Sequence, residues 1–144
     1  MSSHPPDTSS PASVAVMVQC ALNGAYTRDD HPDLPVTLEQ LVADAVACRS
    51  VGAASVHMHP RRATDGRESL APEVHDAVVA AVRAAVPNLE ISCSTQEDID
   101  LGVAPNRVAA VRAWTSPPDT VSLNLVEDGA IELARRGHSY SPSG

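Results

Sequence analysis

Short β-branched runs alternate along this chain with longer stretches of helical periodicity, and that repeating order restricts the fold more than any other feature. Ser13-Val-Ala-Val-Met-Val-Gln-Cys20 is almost continuously apolar, as expected of a strand covered on both faces. Thr37 then reads as the N-cap of a helix, with Gln40 completing a capping box. Leu38, Leu41, Val42, Ala45, Val46 and Cys48 form its expected inward stripe, and Gly52 ends it. Further strands are expected at 54–57, 89–93 and 120–123, and further helices at 72–86, 104–114 and from about Asp128. Strand and helix in strict alternation imply parallel strands joined by helical crossovers, so the class is α/β. A closed eight-stranded barrel needs about 250 residues, so these units amount to half of one, and a small open doubly wound sheet is the alternative that periodicity leaves standing.

Residues 1–12, rich in Ser and Pro, are expected to be a disordered tail, 13–136 a partial β/α domain, and 137–144 a polar tail. Aromatic residues make up only 2% of the chain and Phe is absent, so the core must be assembled from Ala, Val and Leu at close spacing. A formal charge of -8 argues against nucleic acid and anionic lipid as partners. No apolar run reaches the roughly 20 residues of a membrane span, and the first residues lack the pattern of a secretory signal, so a cytoplasmic location is expected. Cys20, Cys48 and Cys93 are odd in number and widely spaced, which reads as small buried side chains rather than a disulfide framework or a cysteine metal knuckle.

The sharpest chemical feature is Val56-His57-Met58-His59-Pro60 at the end of the second strand. Side chains at i and i+2 of a strand point the same way, so both imidazoles can approach one ion at the rim where barrel active sites sit. Zinc, iron, nickel and copper all accept imidazole, and a catalytic zinc needs a third protein ligand that this motif does not supply. Polar residues cluster where the other strands turn into loops: Asn23 to Arg28, Ser94 and Thr95, and Ser122 to Asn124. On a parallel sheet these converge on one rim, although Ser, Thr and Asn equally serve local turns and caps. Arg28, Arg61, Arg62 and Arg67 are candidates for pairing with a carboxylate or a coenzyme phosphate, or are simply solvated. His31, His75 and His138 have no metal-like neighbours in sequence and are expected at the surface.

In order and spacing, Ala21-Leu-Asn-Gly-Ala-Tyr-Thr-Arg28, His31-Pro-Asp-Leu-Pro-Val-Thr37, Ala45-Val-Ala-Cys48, Gly52-Ala-Ala-Ser-Val-His-Met-His-Pro-Arg61 and Asp65-Gly-Arg-Glu-Ser69 resemble the β-keto acid cleavage enzymes. The resemblance runs from about Val14 to Leu133 and covers what looks like an N-terminal half. It implies a (β/α)8 TIM barrel with Zn2+, which condenses a β-keto acid with acetyl-CoA as co-substrate and releases acetoacetate and a new CoA ester. It further implies His57 and His59 as zinc ligands, Ser94 as a substrate-contacting serine, and Ser122 and Asn124 as pocket residues. With the other polar residues at the strand ends, Ser94 and Arg28 are the catalytic candidates and Asn23, Ser94, Thr95, Ser122 and Asn124 the substrate-binding ones. Where the family's named enzyme has a glutamate in the first loop, this chain has Tyr26. The family's third zinc ligand, an adjacent acid and a substrate-binding arginine have no motif match up to Gly144.

The expected function is therefore a zinc-dependent acyl transfer whose site is incomplete in these residues. An inactive half-barrel that binds metal or pairs its exposed strand edges in a homo-oligomer is the alternative. A metal-dependent hydrolase built on the same histidine pair is a third reading, and it would work without acetyl-CoA.

Overall fold

A computed structural model describes residues 16–100 and 104–137. Its elements alternate as expected: β1 (Gln19–Ala21), α1 (Leu38–Ser50), β2 (Ser55–Met58), α2 (Pro72–Ala85), β3 (Glu90–Ser94), α3 (Ala104–Ala113), β4 (Thr120–Ser122) and α4 (Ala130–Gly137). The strands form one four-stranded sheet in the order β1-β2-β3-β4, and every neighbouring pair is parallel. A doubly wound sheet reverses its strand order at a switch point. Among the described strands no reversal occurs, and the four form a parallel sheet in sequential order, as a partial α/β fold does.

Register divides the sheet into two chemically different faces, because residues two apart on a strand share a side. On one face Val56, Met58, Ile91 and Cys93 are fully buried and pack with Leu41 and Ala45 of α1 and with Val78, Val79 and Val82 of α2. This is the main core, built almost wholly from small aliphatic side chains. The opposite face is polar. His57 is in register with Ala21 on β1 and Ser92 on β3, Ser92 with Thr120 on β4, and Ser94 with Ser122. A second, smaller cluster of Leu70, Ile99 and Trp114 closes the outer side under α3.

Local signals explain the helices. Thr37 accepts from the Gln40 backbone N–H while the Gln40 side chain returns to Thr37 N, so the expected capping box forms. Pro72 starts α2, where its missing N–H costs nothing.

Three expectations need correction. The first strand is short: 13–15 lie outside the described residues, and Val16, Met17 and Val18 are exposed and precede β1 rather than forming it. In β1 only Cys20 turns toward the core and is half-buried, while Gln19 and Ala21 on the other face are exposed, so β1 is not covered on both faces as its apolar run suggested. Val46 leaves the α1 stripe and is 46% exposed, because Leu41 and Ala45 already fill the contact with the sheet. His75, expected at the surface, is fully buried, since α2 turns it onto the same stripe as Val78, Val79 and Val82. The expected tails at 1–12 and 138–144, and His138 with them, lie outside the described residues. The three cysteines are unpaired, with Cys93 buried and Cys20 and Cys48 half-buried.

Candidate metal and substrate site

His57 and His59 come together as their spacing predicted, with ring centroids 5.3 Å apart and ring planes at 81°. Each ring is held through its Nδ1 atom. His57 Nδ1 lies 3.0 Å from Ser92 Oγ, a contact that follows directly from the register of β2 on β3. His59 Nδ1 lies 2.7 Å from Glu68 Oε2. Neither Nε2 atom has a hydrogen-bond partner among the described residues, and neither is an enclosed orphan. Partial burial, followed by the neighbouring His59, holds the His57 imidazole below its usual pKa and so favours the neutral ring that a metal requires.

Asn23 fixes the backbone under this pair. Its side chain is buried, donates to the carbonyls of His59 (2.9 Å) and Pro35 (3.2 Å), and accepts from His59 N–H at 2.9 Å. Past Met58 the strand has no ladder partner on this side, and Asn23 supplies both hydrogen bonds that a strand would.

The loop after β2 folds back on itself. Arg61 and Glu68 pair as an antiparallel bridge, Ser69 N–H donates to Pro60 O, and Arg62 N–H donates to Arg67 O. Gly66 sits at the tip with φ +69°, a backbone conformation that favours glycine, and a Cβ there would also press on Val36 Cγ1 at 3.1 Å. Arg61 is buried, and its guanidinium donates to the carbonyls of Gly24, Tyr26 and Gly66, tying the first loop to this one. Asp100 closes the far end by accepting from Ser69 Oγ and Leu70 N–H.

The other expected site residues fall at the same rim in different states. Ser94 is buried and accepts from Gln96 N–H, and Thr95 Oγ1 donates to the Ser122 carbonyl at 2.7 Å. Ser94, Ser122 and Asn124 line a cleft of 400 Å³ together with Gln96, Leu123 and Glu127. Arg28 is exposed, donates to Gln40 Oε1, and borders a second cleft of 640 Å³ with Arg62, Arg67 and Glu68. Tyr26 is 65% exposed.

Two residues with clear work at this site were not foreseen. Glu68 lay in a quoted motif but carried no assigned role, because nothing in a linear reading places it against a histidine nine residues earlier. Arg61 was read as a candidate for a carboxylate or a coenzyme phosphate, or as solvated, whereas it is buried on one carbonyl of its own loop and two of the first loop, a convergence that no linear reading shows.

A parallel α/β sheet with its strands in sequential order and a histidine pair at the end of one strand is the class that fold and site together define. The sequence profile of the beta-keto acid cleavage enzymes matches residues 15–131, and the chain belongs to that family. It is 31% identical over 114 residues to the 3,5-dioxohexanoate:acetyl-CoA acetone transferase of Paraburkholderia graminis, a match covering 76% of this chain and 34% of that protein. It is 31% identical over 81 residues to the 3-keto-5-aminohexanoate cleavage enzyme of Acetoanaerobium sticklandii, covering 56% of this chain and 29% of that protein. The chain thus spans about a third of the length of the curated relatives it matches. Among the described residues no helix is long and apolar enough to cross a membrane.

Proposed function

We propose that this chain carries part of the active site of a zinc-dependent enzyme that condenses a β-keto acid with acetyl-CoA and cleaves the product to acetoacetate and a new CoA ester. The observation that carries the reading is the pair of imidazoles at the rim, each engaged at Nδ1 and without a hydrogen-bond partner at Nε2 among the described residues. Two such nitrogens suit zinc, whose catalytic sites use three protein ligands and one exchangeable position. A catalytic zinc needs a third protein ligand beside this pair, and among the described residues no group of three or more His, Cys, Asp or Glu that could hold a metal is found. Zinc bound there would act as a Lewis acid on the keto acid and lower the energy of the enolate-like charge that develops.

The chain's own residues orient the reactants. Ser94, Ser122 and Asn124 offer hydroxyl and amide groups to the keto acid from the cleft they line, and Thr95 holds the β3 and β4 ends together for that purpose. Asn23 acts on the site by fixing the His59 backbone. Arg28, with Arg62 and Arg67 across the neighbouring cleft, offers a guanidinium to a carboxylate or to the coenzyme phosphates. A barrel supports this arrangement: the polar face opposite the helices would be its interior, and β4, exposed along its whole length, is the edge where a fifth strand would pair.

Zinc competition against a chromophoric chelator tests the reading. One zinc per chain, with affinity lost in His57→Ala and in His59→Ala, is expected, and it would justify assaying acetyl-CoA-dependent acetoacetate formation. Binding that neither substitution changes would refute it.

A further inference from the structure

We propose that Glu68 is the positioning residue of the histidine pair: its carboxylate holds the proton of His59 on Nδ1 and turns Nε2 toward the rim. The consequence for metal rests on the zinc reading above, whereas the orientation of the ring does not.

A neutral imidazole carries one proton on one of two nitrogens, and the partner of one nitrogen decides what the other can do. A carboxylate only accepts, so at 2.7 Å from Glu68 Oε2 the Nδ1 atom is the donor, and in the neutral ring Nε2 then carries the lone pair. Ser92 Oγ, which meets His57 at the corresponding atom, both donates and accepts and cannot force that choice. The two histidines are therefore oriented by unequal means, and only His59 has its tautomer imposed.

The carboxylate is itself held. Its residue is paired in the bridge to Arg61, whose Nη2 lies 3.7 Å from Glu68 Oε1, and both side chains are largely shielded from water, at 5% and 16% exposure. Arg61 is in turn fixed by three carbonyls. A chain of contacts thus runs from the first loop through Arg61 and Glu68 to His59, and each member has little freedom to take another partner. Outer partners of this kind orient metal-binding imidazoles, and their loss typically weakens metal affinity by about 10–100-fold.

Nitrogen-15 NMR of the His59 ring in the metal-free full chain reads the tautomer directly. The wild-type ring is expected in the Nδ1–H form. In Glu68→Leu, and to a lesser degree in Glu68→Gln, the Nε2–H form should grow, with zinc binding weakened at least about tenfold in Glu68→Leu. The glutamine variant keeps the shape of the side chain, so it still gives a result if the leucine variant fails to fold. A merely structural glutamate would change the melting temperature and leave the tautomer alone. A wild-type ring already protonated on Nε2, or an unchanged Nδ1–H fraction in both variants, overturns the proposal. Zinc affinity unchanged in the Glu68 variants but lost in His59→Ala overturns the ligand-aiming consequence. Zinc affinity unaffected by His57→Ala and His59→Ala sinks the metal reading and leaves the ring result to decide the role of Glu68.

Discussion

His59 and His75 are both buried histidines, yet their surroundings give them opposite uses. His59 has Nδ1 on a carboxylate and Nε2 without a hydrogen-bond partner among the described residues, yet not sealed off. His75 is fully enclosed, neither ring nitrogen has a hydrogen-bond partner among the described residues, and its ring stacks on Trp114 with centroids 3.5 Å apart and planes at 7°. Trp114 is fixed by donating to Leu70 O, and Asp76 caps the turn after α3 by accepting from Thr115 and Ser116. The same side chain therefore serves as a directed donor and lone pair in one place and as a flat packing surface in the other. Partners at the nitrogens, more than burial, separate a chemical histidine from a structural one.

Substitution at His75 should give the largest effect on stability. His75→Ala removes a stacked ring and leaves a cavity against Trp114, which should cost about 3–5 kcal/mol in urea unfolding while the affinity for zinc is unchanged. His75→Phe keeps the stack and removes two unsatisfied nitrogens, so it should be neutral or stabilising. A destabilised His75→Phe would show that the ring nitrogens have a partner after all.

Acid should expose the same residue next. Burial lowers the His75 pKa from 6.5 to about 4, with Asp76 opposing the shift. The unfolded chain then takes up a proton that the folded chain refuses, so the contribution is complete above pH 6.5 and is lost as pH falls toward 4. The loss attributable to His75 is about 3 kcal/mol, and His75→Phe should flatten the stability profile in that window. An unchanged profile in His75→Phe would reassign the acid sensitivity elsewhere.

Asn23→Ala should come third. It strips both backbone hydrogen bonds from His59 and leaves buried groups unpaired, at about 1–3 kcal/mol by urea unfolding. Unlike His75→Ala it should weaken zinc binding as well. Thr37→Ala is the smallest expected effect, about 1 kcal/mol from the lost N-cap, with no consequence for either histidine.

Much of this arrangement was legible in the sequence wherever the signal was local. The capping box at Thr37 and Gln40, the alternation of strand and helix, and the shared direction of His57 and His59 all depend on residues within a few positions of one another. What was missed depends on the chain returning to itself. Glu68 meets His59 only because the loop closes through the Arg61 bridge, and Arg61 is buried only because three carbonyls converge on it. His75 was a different kind of miss, since its place three and four residues before Val78 and Val79 on the α2 stripe was available. Residue type was weighed there instead of position. The first strand was overread because an apolar run does not reveal whether other elements cover both of its faces.

X-ray absorption at the zinc edge, on the zinc-loaded chain, tests the histidine pair as a metal site most directly. Two imidazole ligands are expected in the wild type and in His75→Phe, and one in each of His57→Ala and His59→Ala. A spectrum without imidazole scattering, or one that neither rim substitution alters, would contradict the assignment.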